Sequence, residues 1–115
     1  MSDRELLEMA AKAAGYDDAK FQDMEGWGEV RYGLSCGIWS EKHLENYWNP
    51  LVNDGDALRL AVKLGMRLCI DNRVGFSWVK GVEGSVPHDG NANAATRRVI
   101  VRAAAALADA GGRDE

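Results

Sequence analysis

The stretch Leu68-Cys69-Ile70-Asp71-Asn72-Arg73-Val74-Gly75-Phe76-Ser77-Trp78-Val79 decides the fold class. Leu68 and Ile70 alternate with Arg67 and Asp71, while Val74, Phe76 and Trp78 alternate with Gly75, Ser77 and Val79. Alternation with a period of two marks strands that bury one face. Asp71-Asn72-Arg73 reads as a tight connection, so the two strands form an antiparallel hairpin.

Helical patterns lie on both sides of this hairpin. Upstream, Ala57-Leu58-Arg59-Leu60-Ala61-Val62-Lys63-Leu64 predicts a helix that buries Leu58, Ala61, Val62 and Leu64. Asp54 or Asp56 caps it, and Gly65 ends it. Downstream, Gly81 to Gly90 reads as a loop. A long Ala-rich helix then starts near Asn91 or Asn93 and ends before Gly111-Gly112, with residues 112–115 as a frayed tail. Its apolar stripe is Val99, Ile100, Ala103, Ala106 and Leu107.

The first third of the chain holds a further helix and hairpin. Ser2 and Glu5 form a capping-box pattern ahead of Leu6, Leu7, Met9, Ala10, Ala13 and Ala14, with Gly15 as the stop. Tyr16 to Gly26 reads as a connector. From Trp27 to Ser40, Val30, Tyr32 and Leu34 alternate with Glu29, Arg31 and Gly33, and Cys36 and Ile38 follow. Ser40 caps a short turn through Glu45. The predicted order is helix, hairpin, helix, hairpin, helix. This is an α+β domain, residues 1–115, with a largely antiparallel four-stranded sheet packed against three helices.

Composition excludes several function classes. The chain has 115 residues, 14 Lys plus Arg, 18 Asp plus Glu and a net charge of −4. An acidic domain has no global attraction for nucleic acid or an anionic membrane, so neither is expected as a direct partner. The longest apolar run, Ala103 to Ala108, is far short of the roughly 20 residues that span a bilayer. The polar start Met1-Ser2-Asp3-Arg4-Glu5 does not resemble a secretory signal, and the two cysteines match no disulfide framework. These features predict a cytoplasmic setting.

Catalytic and metal patterns are sparse. Cys36, His43, Cys69 and His88 are spread over four segments and form no close ligand pair, so no metal or other cofactor is expected. Cys36 with His43 would make a dyad, but no third residue is in place to orient the histidine. Asp54-Gly55-Asp56 does not continue as a calcium loop, because a helical apolar stretch follows. An enzyme is therefore not expected.

Aromatic and basic residues suggest binding instead. Trp78 reads as core. Trp39 reads as core or, with Trp27, as a surface that contacts a protein partner. Trp48 and Asn49 precede Pro50 in a turn, where an indole can stack on a ligand and a carboxamide can hydrogen-bond it. Arg97, Arg98 and Arg102 lie near the start of the last helix and suit an anion. Their alternative is a solvated face paired with carboxylates such as Asp109 or Glu83. Alanines on two faces of that helix predict close helix approach, and hence a homodimer or higher homo-oligomer.

Three segments also resemble a group of small bacteriophage and prophage proteins, similar to NinX-like phage proteins of unknown function. They are Trp48-Asn49-Pro50-Leu51, the run from Asp54 to Leu64, and the run from Ala95 to Ala105. The N-terminal helix fits the same group. The resemblance implies a phage accessory protein in the host bacterial cytoplasm. Its expected role is non-enzymatic binding that counters a host defence, by holding a defence protein or sequestering a small nucleotide-like signal. Two alternatives are a structural phage component and a small nucleotide hydrolase or transferase. The latter would use Asp54, Asp56 or His88 with the arginines.

Overall fold

The computed structural model describes residues 2–23, 36–44 and 47–113. Helix α1, Asp3–Ala13, starts where Ser2 Oγ accepts from the Glu5 amide at 3.2 Å. It stops in a Schellman turn. The Gly15 amide donates to Lys12 O and the Tyr16 amide to Ala11 O, with Gly15 at φ 88°. Leu6, Leu7, Ala10 and Ala11 form its buried face.

Strand β1, Lys20–Asp23, lies inside the predicted connector. It pairs antiparallel with β2, Cys36–Trp39. The expected alternation of Val30, Tyr32 and Leu34 lies outside the described residues, as does Trp27. Ile38 of β2 also bridges to Trp48 through two main-chain hydrogen bonds, of 2.8 and 2.9 Å. A side chain at Gly37 would meet the Trp48 carbonyl at 3.2 Å, so this close approach favours glycine.

Helix α2, Asp54–Lys63, is capped by Asn53 rather than by Asp54 or Asp56. Asn53 Oδ1 accepts from the Asp56 amide at 2.9 Å. Asp54 is then free to face α3, and Asp56 points into the chain. The buried face is Ala57, Leu60 and Ala61, so the expected burial of Leu58 and Val62 is reversed. Leu58 is 63% exposed and Val62 72%. Small Ala57 and Ala61 let α2 sit close to its neighbours, while the larger Leu58 and Val62 form an outward ridge.

Strands β3, Leu68–Asp71, and β4, Phe76–Val79, form the predicted antiparallel hairpin. Its turn is longer than expected, because Asp71 Oδ1 accepts from the Arg73 and Val74 amides and Gly75 adopts φ 75°. The buried face of β4 is Ser77 and Val79, whereas Phe76 is exposed. A third strand, β5, Ser85–Pro87, pairs with β4 inside the predicted loop. Pro87 lacks an amide hydrogen, and the edge of a sheet tolerates this.

Helix α3, Ala92–Arg113, is capped by Asn91, whose Oδ1 accepts from the Ala94 amide at 3.0 Å. It continues through Gly111-Gly112, beyond the expected stop. Its position explains the main correction to the predicted architecture. The described strands form two separate sheets, one of two strands and one of three, not a single four-stranded sheet. One flank of α3, with Ala95, Val99 and Ala103, packs on Val79 and Val86 of the three-stranded sheet. Another, with Ile100, Val101, Ala104 and Ala105, joins Leu6, Leu7, Ile38, Trp48 and Leu60. Each sheet has its own core against the helices, so the strands need no common edge. Of the alanines on α3, Ala95, Ala103, Ala104 and Ala105 are buried within the chain, whereas Ala106 is exposed. No helix among the described residues is long and apolar enough to cross a membrane.

Candidate functional site: a groove between α2, β3 and α3

The Trp48-Asn49-Pro50-Leu51 turn is tied to α2 by hydrogen bonds. The Asn49 amide donates to Asp56 Oδ2 at 2.9 Å, and Asn49 Oδ1 accepts from the Leu51 amide at 3.0 Å. Arg59 Nη2 donates to the other Asp56 oxygen at 2.7 Å. Asn49 is buried, and Trp48 is only 4% exposed and meets Tyr16 edge-on. Trp48 is therefore almost closed to solvent, and what remains accessible borders the cleft beside Tyr16, His43 and Tyr47. Trp39 is half-buried and tilted against Tyr47, with ring centroids 5.5 Å apart.

The arginines have internal partners as well. Arg97 donates from Nε to Leu51 O at 2.9 Å and from Nη1 to Asp54 Oδ1 at 2.6 Å. Arg98 makes two bonds to the Asp3 carboxylate, of 3.0 and 3.2 Å. The Arg98 hydrogen bonds, with the charges of Arg98 and Arg102, hold the Asp3 carboxyl below its ordinary range, against a smaller opposing effect of partial burial. Arg102 itself is exposed. The five expected ligand residues therefore do not converge on one open site. Asn49 and Arg97 each bond to Leu51, Asn49 to its amide and Arg97 to its carbonyl.

An open groove of about 320 Å³ lies on the other side of the Arg97–Asp54 pair. Ala57, Leu68 and Ile100 line its apolar wall, and Leu58 and Ile70 form its lips. Ile70 is 52% exposed, although it faces the α3 side of the sheet opposite buried Ser77. Its polar lining is the Arg97–Asp54 pair, Asn72, Asn93 and Thr96. An apolar wall with a few convergent polar groups is the usual character of a small-molecule site.

Behind Thr96 lies a polar relay centred on buried Ser77. Ser77 Oγ is 2.8 Å from His88 Nε2 and 2.9 Å from Thr96 Oγ1. The Ser–His spacing is that of a nucleophile and its base. Ser77 is fully buried, however, so its hydroxyl is closed to an external substrate. The carboxylates of the hydrolase alternative are also apart. Asp54 faces the groove, whereas Asp56, two residues along the helix, faces the Asn49 turn. His88 is engaged with Ser77.

A second cleft, of about 300 Å³, opens on the far side of α2 between Tyr16, His43, Tyr47 and the Asp56–Arg59 pair. Burial pushes the Tyr16 hydroxyl up from its ordinary range, and the Asp56 charge adds to this against the smaller effect of Arg59. His43 stacks on Tyr16 and approaches Asp17 Oδ1 through Nε2 at 3.2 Å. Asp18 accepts from the buried Ser40 hydroxyl and from the Lys42 amide. Asp17, Asp18 and His43 place their ligand atoms within 4.8 Å of one another. Sequence reading passes over this trio because it looks for close His or Cys pairs, and these aspartates sit in a presumed connector. Of the residues weighed there, Cys69 is a free cysteine on β3, and the Cys36 side chain lies outside the described set.

Comparison with known proteins adds no relative: no family model matches the chain, and neither a curated protein nor a solved structure is significantly similar to it.

Proposed function

We propose that this chain is a non-enzymatic binding protein, and that the groove between α2, β3 and α3 holds a small nucleotide-like ligand. The observation that carries this reading is the joining of an apolar wall to a guanidinium, a carboxylate and two carboxamides in one groove. A flat heterocycle needs apolar surface for its faces and mixed donors and acceptors for its edge. Leu68, Ile70 and Ile100 supply the first, and Asn72, Asn93 and Thr96 the second. Arg97 adds positive charge that Asp54 offsets, which suits a ligand carrying little net charge near the base. The proposed setting is sequestration of a host signal by a phage accessory protein in the bacterial cytoplasm, and it rests on the sequence resemblance alone.

A second reading has its own support. Leu58 and Val62 form an exposed apolar ridge beside the groove, and such patches often mark protein interfaces. In this reading the groove takes an apolar side chain of a host defence protein.

Thermal melting with a panel of nucleosides and nucleotides separates the two. A ligand at a hundredfold excess over its Kd stabilises the folded state by about 2.7 kcal/mol. The small-ligand reading expects a clear rise in Tm with at least one compound. It also expects Ile70→Glu, an exposed change at the groove lip, to abolish that rise while leaving the unliganded Tm nearly unchanged. A panel without any rise would overturn it.

A further inference from the structure

The far side of α2 carries a different chemistry, independent of the groove. We propose that Asp17, Asp18 and His43 bind a divalent transition metal of the zinc class at the mouth of the Tyr16–Tyr47 cleft.

The donor set is the first argument. Two carboxylates and an imidazole are ordinary ligands of zinc and its neighbours, and three protein ligands with an open position are the pattern of reactive zinc sites. Their spacing is the second. Ligands about 2.0 Å from a tetrahedral ion stand roughly 3.3 Å apart. His43 Nε2 and Asp17 Oδ1 are 3.2 Å apart, and an Asp18 oxygen lies within 4.8 Å of both.

The surroundings hold two of the ligands in place. His43 is stacked on Tyr16 with centroids 5.5 Å apart, and its amide donates to Ser40 Oγ at 3.1 Å. The same buried Ser40 donates to the Asp18 carboxylate. Hydrogen bonds to a ligating carboxylate from a second layer of groups are a regular feature of metal sites.

The trio borders an open cleft through His43. His43 is both a member of the trio and a wall of the cleft of about 300 Å³. A metal held by three protein groups keeps a coordination position for water or for a donor atom of a molecule in that cleft. Aromatic walls suit the apolar part of such a molecule, and Arg59 offers charge to an acidic part.

The test uses Zn²⁺ and Co²⁺ with the full chain, free of any affinity tag. Calorimetry should show one Zn²⁺ bound per chain. The Kd should weaken at least tenfold in Asp17→Asn and in His43→Ala and stay unchanged in Cys69→Ser. The Co²⁺ complex should give a visible ligand-field spectrum without a thiolate charge-transfer band. Should His43→Ala fail to fold, the wild-type Co²⁺ spectrum and Asp17→Asn still decide. Absence of saturable binding, a thiolate band, or an unchanged Kd in Asp17→Asn would overturn the proposal and leave the trio as an ion pair beside a capped turn.

Discussion

Arg97 Nε donates to the main-chain carbonyl of Leu51 at 2.9 Å, so a side chain of the last helix closes the turn that precedes α2. The same guanidinium reaches Asp54 in the first turn of α2. A hydrogen bond from a charged donor contributes about 1.5–3 kcal/mol. Arg97→Ala should therefore lower the unfolding free energy by roughly that amount, as measured in urea. Arg97→Lys should recover only part of it, because an ammonium cannot direct two donors along fixed axes. A fully stable Arg97→Ala would show that the clamp contributes nothing.

The link between Arg98 and Asp3 gives a dependence on pH. The Asp3 carboxyl is held below its ordinary value in the folded chain, chiefly by the Arg98 hydrogen bonds. Its stabilising contribution is complete above the unfolded aspartate value of about 3.9 and is lost as pH falls through the lower folded value. The pair is substantially exposed, so the effect is small and screened by salt. Asp3→Asn should reduce stability slightly at pH 6 and should lose this difference from wild type at the acid end of a pH series. A stability difference that grows with acidity would contradict the assignment.

Trp48 belongs to the core. Replacing a buried Trp by Ala costs about 3–5 kcal/mol. Trp48→Ala should therefore shift the urea midpoint strongly, while any ligand of the α2–β3–α3 groove still binds the fraction that remains folded. Selective loss of binding in a fully stable variant would restore the stacking role that the sequence suggests.

This contrast shows what the sequence can convey. The caps Ser2 and Asn91, the glycine stops at 15 and 65, and the β3–β4 hairpin are local features, and their chemistry is legible residue by residue. Strand β5 is not legible, because it has three residues, only Val86 of them buried, and its pairing depends on β4 being in place. The burial of α2 is legible at Ala61 but misread at Leu58 and Val62, which are strongly apolar yet exposed, while Ala57 and Leu60 complete the buried face. The division into two sheets depends on how α3 packs, and that is a tertiary outcome. For the site, Arg97 stands out in the sequence, but its commitment to Leu51 and Asp54 spans more than forty residues of chain.

The relay of His88, Ser77 and Thr96 gives a further prediction. Ser77→Ala removes the common partner of the half-buried His88 and Thr96 side chains, at a cost of about 0.5–1.5 kcal/mol. Replacing a serine in an antiparallel strand by alanine should leave the strand pairing intact, so circular dichroism should be unchanged while the urea midpoint falls. An unchanged midpoint would mean that the relay makes no net contribution.

The central claim is that the ligand lies in the groove between α2, β3 and α3. Amide chemical-shift mapping tests it most directly, using the nucleotide that raises Tm most. The account predicts perturbations at Leu58, Leu68, Ile70, Asn93, Thr96 and Arg97, with none of comparable size at Tyr16, His43 or Tyr47. Perturbations confined to the Tyr16–Tyr47 cleft, or none at all at saturating ligand, would contradict it.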